Sequence, residues 1–143
     1  MKKLINVSFI YALAAIVSGV FYREFTKFLS FTGKTTLAFT HLHFLVMGFI
    51  LFLILALFAS RSNLLEVKQF KWFFTLYNVA LPFMVVMLYV RGILQVLGTE
   101  LSNGASFAIS GISGIAHILM TISLVLLFIA LKKQTIDGEK AIK

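Results

Sequence analysis

Three histidines are the residues of this sequence best suited to chemistry. All of them fall in stretches free of Asp, Glu, Lys and Arg: His41 and His43 between Thr35 and Ser60, His117 between Leu101 and Leu131. An imidazole can ligate a metal, carry a proton or exchange hydrogen bonds. Inside a long apolar run it is therefore either a functional group or the polar partner of a neighbouring helix. The pair His41-Leu42-His43 is the most informative. Successive residues of an α-helix stand about 100° apart, so these rings are turned by about 200°, towards nearly opposite faces. Two ligands to one metal would instead stand at i and i+4. The spacing predicts a helix wedged between two polar or cofactor-filled cavities, with one histidine serving each. In so short a chain at least one cavity would be completed by a second copy, and head-to-tail contacts between identical subunits close into a ring.

Two further features share the expected depth. Arg91 lies about 19 residues beyond Trp72, roughly the length of one membrane crossing. A helix running outward from Trp72 would thus bring Arg91 to the outer level where His41 and His43 begin. An arginine there can hold carboxylates, such as haem propionates, by bidentate charge-assisted hydrogen bonds. Otherwise it reaches to the interface or pairs with Glu24 or Glu100. Ser110, Gly114, His117 and Thr121 recur at i, i+4, i+7 and i+11, flanked by Gly111 and Ser113. This small, polar stripe reads as a helix-packing seam or as a wall for a flat macrocycle. The seam explains the glycines, and it leaves the role of His117 open.

The elements that must carry these residues are membrane helices. Hydrophobic residues make up 60% of the chain and charged ones 13%, with a mean hydropathy of +1.00. A water-soluble domain has about a quarter charged residues. Uncharged runs extend from Leu4 to Tyr22, Thr35 to Ser60, Trp72 to Val90 and Leu101 to Leu131. Each is long enough to cross a hydrocarbon core of roughly 30 Å as a helix, and nothing alternates as a barrel strand would. The expected architecture is an all-α, four-transmembrane-helix bundle in one domain. Its helices are expected at about 4–22, 37–59, 72–96 and 107–131, followed by a basic, soluble tail over 132–143. The loop from Arg23 to Thr36 mixes aromatic and charged residues, as an interfacial segment does. Trp72 and Tyr77 are placed as interfacial aromatics, and Pro82 should bend the third helix.

The net charge of +8 reports topology here, not nucleic-acid binding. With four spans, Lys2, Lys3, Arg61, Lys68, Lys71, Lys132, Lys133, Lys140 and Lys143 share one side, against Arg23, Lys27, Lys34 and Arg91 on the other. The positive-inside rule puts both termini in the cytoplasm. Met1-Lys2-Lys3 before an apolar run also has the look of a signal peptide, with Val17-Ser18-Gly19 as a weak cleavage site. The run exceeds the usual 7–15 residues, so the first helix is expected to be retained. The chain has no cysteine. That excludes disulfides, thiolate metal sites and covalent haem, so any haem would be held by coordination and packing. There is no Ser/His/Asp set, no H-E-x-x-H motif and no phosphate loop, and all five acids fall in loops, at helix ends or in the tail. Hydrolysis and carboxylate-coupled proton transport are therefore not indicated.

The segment Thr40-His41-Leu42-His43-Phe44-Leu45-Val46-Met47-Gly48-Phe49 resembles the H-x-H helix in the catalytic subunit of haem–copper oxidases. It also resembles the H-x-H-x-x-x-x-G-F segment of haem membrane proteins linked to nitric-oxide responses. Over its whole length, through GVFYREFTKF, THLHFLVMGF, the surroundings of Arg91-Gly92 and SGISGIAHI, the chain is similar to a small, functionally unassigned family of bacterial four-span proteins. The oxidase subunit has three quasi-equivalent arcs of four helices. By that resemblance this chain would be a single arc in a homotrimer in the bacterial cytoplasmic membrane. Each non-covalent haem b would take His41 from one protomer and His43 from its neighbour, with Arg91 and His117 as further cofactor-binding residues. The departures are the missing His-His pair on the third helix, the missing Tyr–His crosslink and the missing proton-channel carboxylate, so copper is not supported. The resemblance implies electron transfer, or sensing of redox state or a gas such as O2 or NO. The alternatives are a colourless transporter or channel for small molecules or metal ions, and a structural subunit of a larger membrane complex.

Overall fold

A computed structural model describes the backbone of residues 1–142 and the side chains of residues 1–134. Among these the chain is all-helical. Helix α1 is Lys2–Phe28, α2 is Leu37–Ala59, α3 is Lys68–Val96 and α4 is Asn103–Ile142. A short turn of 3₁₀ helix, Leu64–Glu66, leads into α3. All four helices are long and apolar enough to cross a membrane, and the protein is a four-transmembrane-helix bundle.

The boundaries depart from the sequence expectation at helix ends. Helix α1 continues through Arg23–Glu24 to Phe28, so the first half of the expected outer loop is helical; its one ion pair, Arg23 to Glu24 at 3.5 Å, is exposed. Helix α3 begins at Lys68, before Trp72, and α4 begins at Asn103, before Phe107. Charged and small polar residues extend these helices beyond the hydrocarbon, where the uncharged runs stop but the backbone has no reason to. The tail is helical to Ile142, while the side chains of 135–143 lie outside the described residues, so the expected solubility of that stretch does too. Tyr77 is a core residue, fully buried, and Trp72 alone of the two expected interfacial aromatics is exposed. Helix α3 runs unbroken through Pro82.

Lipid tails are as apolar as leucine, so close approach and interhelix hydrogen bonds must hold such a bundle together. Both are present. Helix α1 buries Leu4, Ser8, Tyr11, Ala15 and Ser18, a stripe at helical spacing. Tyr11 stacks on Phe52 of α2 at 5.8 Å, and Tyr77 of α3 meets Phe52 edge-on at 5.7 Å. The Tyr11 hydroxyl donates to Asn78 Oδ1 of α3 at 3.0 Å. At the end of the bundle opposite the N-terminus the Thr35 hydroxyl donates to the Gly92 carbonyl at 2.9 Å and the Thr36 hydroxyl to the Leu88 carbonyl at 2.8 Å. Those bonds fix the entry of α2 against the far end of α3.

Helix α3 is the hub. At 100° per residue, Asn78 and Tyr89, which meet Tyr11 and Phe21 of α1, share one flank. Leu88 and Gly92, which meet the start of α2, come next around the helix. Arg91, which reaches α4, comes after them. Helix α2 therefore sits between α1 and α4. Helix α4 packs along α3 and along neither α1 nor α2; its buried seam is Ala116, Met120, Ser123, Leu127 and Ala130. The bundle is an open arc, with a groove between α2 and α4 floored by α3.

A candidate site for a polar ligand within the membrane

The N-terminal half of α2 carries the first two histidines. His41 is half-buried on the side of α1, its Cβ 3.7 Å from where a side chain on Gly19 would begin. A Cβ at position 19 would meet His41 only in ordinary van der Waals contact. The His41 Nδ1 atom is buried and has no hydrogen-bond partner. His43, about 200° further round, turns away from α1 towards the α2–α4 groove. It is half-buried, and its Nδ1 lies 2.7 Å from the Phe39 carbonyl. The expected divergence of the pair is realised, although the two rings differ in their local bonding.

Helix α2 is not regular beyond this point. From His43 to Ile50 it is a π-helix, wider than an α-helix and rare outside functional segments. Two hydroxyls from neighbouring helices donate to its carbonyls. Ser8 of α1 donates to the Phe49 carbonyl at 2.8 Å, and Tyr77 of α3 to the Met47 carbonyl at 2.8 Å. Gly48 lies directly under Tyr11, where a Cβ would come within 2.5 Å of the Tyr11 ring. The clamp thus comes from α1 and α3 together. Nothing local in the THLHFLVMGF run announces the change of pitch, apart from the glycine that makes room for Tyr11.

On the far side of α3, the Arg91 guanidinium donates to the Ser110 hydroxyl of α4 at 2.7 Å. Among the described residues Arg91 forms an ion pair with neither Glu24 nor Glu100; its partner belongs to the polar stripe. Ser110 in turn donates to the Ser106 carbonyl at 2.9 Å. Seven positions inward on the same face is His117, whose Nδ1 lies 2.8 Å from the Ser113 carbonyl. His117 is exposed on the protomer surface, as are Gly111 and Gly114, with nothing within 4 Å of either glycine's Cβ position. The stripe is therefore not the seam by which α4 packs within the chain. Its small residues leave an open polar face.

Depth can be read along the helices. Leu37 touches Gly92, next to Arg91, and Arg91 touches Ser110. His43 is six positions inward of Leu37, about 9 Å, and His117 seven inward of Ser110, about 10 Å, at 1.5 Å per residue. Arg91 thus marks one level and the two histidines a common deeper one. Among the described residues no three His, Cys, Asp or Glu side chains are grouped to hold a metal ion.

The chain belongs to the family described as "Protein of unknown function (DUF2871)", whose model matches residues 1–134. No curated protein matches the chain, and no solved structure does.

Proposed function

We propose, for a family whose description carries no chemistry, that this chain is a membrane protein binding haem b non-covalently through histidine, in electron transfer or in redox or gas sensing. The observation that carries this reading is the state of His43. A metal-ligating histidine in proteins nearly always gives its second ring nitrogen to a carbonyl or carboxylate, which fixes the tautomer and leaves the other lone pair for the metal. His43 has that arrangement, with Nδ1 on the Phe39 carbonyl and no hydrogen-bond partner at Nε2 among the described residues. Haem would supply the one-electron chemistry. The chain's own residues would hold it: His43 by its imidazole and Arg91, at the outer level, by its charge against propionates. An Arg half-buried at a membrane helix end and bonded only to a serine hydroxyl retains donors for such carboxylates.

In this reading the protein is a homo-oligomer, with a trimer favoured, in the bacterial cytoplasmic membrane with both termini inside. Support for association is the open arc and the uncovered polar face of α4, which lipid would solvate poorly. The test is an absorption spectrum of the detergent-purified protein, as isolated and after titration with hemin. A Soret band that saturates at a fixed haem-to-protein ratio is expected, and it should be lost in His43→Ala. A colourless protein that takes up no hemin would end the proposal and leave the transporter or structural readings.

A further inference from the structure

Resting on the haem reading, we infer that the second axial ligand paired with His43 is His117, across the α2–α4 groove, and that His41 is not a ligand but a hydrogen-bond donor.

The ring nitrogens carry the argument. His43 and His117 have the same local chemistry: each Nδ1 lies on the carbonyl of the residue four positions before, at 2.7 Å on Phe39 and 2.8 Å on Ser113. A carbonyl only accepts, so each Nδ1 carries the proton and each Nε2 presents a lone pair. That is the ligand tautomer. His41 is the reverse case. Its Nδ1 is buried without a partner, and a bare N–H is a rarer and costlier orphan than a bare lone pair. The proton of neutral His41 therefore sits on Nε2, which can donate it, and the one lone pair, on Nδ1, is buried on the side of α2 away from the groove.

Position agrees with chemistry. His43 and His117 lie at one depth, some 9–10 Å inward of the Arg91 level by helical rise. The side of α4 that faces α2 is marked by Phe128, which lines a cavity with Ile54 and Phe58 of α2 and stands eleven positions from His117, about 20° round the helix. Helices packed on a shared neighbour at 8–10 Å, on flanks about a right angle apart, have axes roughly 13 Å from one another. That gap is too wide for two histidines to hydrogen-bond and suits two imidazoles with a flat ring between them. His41, by contrast, lies on the opposite side of α2, against Gly19.

The experiment uses full-length protein loaded with haem in detergent, and compares His41→Gln, His43→Ala, His117→Ala and His117→Met by absorption and electron paramagnetic resonance. The wild type should be six-coordinate and low-spin, and His41→Gln, which keeps a donor, should stay so. His43→Ala and His117→Ala should each become five-coordinate and high-spin, and added imidazole should restore the low-spin spectrum in both. His117→Met should keep six-coordination with a raised midpoint potential, since a thioether replaces an imidazole. A low-spin spectrum unchanged in both His117 variants would overturn the pairing, and so would its loss in His41→Gln with recovery on adding imidazole. Either result leaves haem binding itself standing, whereas a wild type with no Soret band removes both.

Discussion

Gly92 of α3 touches the backbone of Leu37, the first residue of α2: a Cβ on Gly92 would come within 2.6 Å of the Leu37 nitrogen. The Thr35 hydroxyl bonds the Gly92 carbonyl at 2.9 Å, so the glycine is held from both sides. A methyl group here meets backbone, which cannot rotate away. Gly92→Ala is expected to lose about 1–3 kcal/mol, the range for overpacking a filled site, and to lower the thermal midpoint in detergent. Gly104→Ala is the control, since nothing lies within 4 Å of its Cβ position, and it should leave the midpoint unchanged.

How much of this could be read in the sequence depends on whether the cause was local. Span number followed from composition, because an apolar run of sufficient length has only one backbone solution in lipid. The divergence of His41 and His43 followed from helical pitch. What was not legible depends on pairs of distant residues. The π segment after His43 is tied to hydroxyls on Ser8 and Tyr77, and Tyr77 reads as an interfacial aromatic until its ring is placed against Phe52 and Phe73. In the sequence Arg91 reads as a holder of carboxylates, as reaching to the interface or as pairing with Glu24 or Glu100; the residue it bonds, Ser110, stands in the polar stripe of α4. Which face of α4 packs could not be told from residue size, since both Ala116–Met120 and Gly114–His117 have helical spacing and only the first is buried.

Tyr77 and Ser8 make a direct test of what sustains the wide turn of α2. Their hydroxyls donate to carbonyls of Met47 and Phe49 inside the π segment. Tyr77→Phe removes one donor without changing the ring that packs on Phe52. Interhelix hydrogen bonds in membranes are worth about 0.6 kcal/mol on average and up to about 1.7. A loss in that range is expected, with faster amide exchange over residues 47–52 measured by mass spectrometry. The double variant Tyr77→Phe with Ser8→Ala should lose more than either single variant, and its departure from the sum measures how far the two bonds sustain the same segment.

Topology is open to a clean labelling experiment because the chain has no cysteine. Ser62, half-buried, lies in the loop between α2 and α3, and Thr99, exposed, lies between α3 and α4. With both termini inside, Thr99→Cys should react with a membrane-impermeant maleimide in intact cells, and Ser62→Cys only after permeabilisation. The reversed pattern would mean that the excess of Lys and Arg faces outward and would count against the positive-inside assignment.

Association of copies is best tested on the uncovered face of α4. Gly111 and Gly114 are open in the protomer, and α4 packs on α3 through the other side, by Ala116, Met120 and Ser123. A leucine at Gly114 therefore has room within one chain and should leave helicity and thermal stability of the protomer intact. It would, however, keep a second helix from approaching closely, since small residues at such positions are what allow backbones to meet in lipid. Gly114→Leu is expected to shift the mass measured by light scattering in detergent from oligomer to monomer, and Ile129→Leu, exposed on α4 well inward of the polar residues, should not. If Gly114→Leu keeps the wild-type mass, copies meet elsewhere, and the free flank of α1 with Phe9, Ile16 and Val20 exposed becomes the surface where bulky substitutions should act instead.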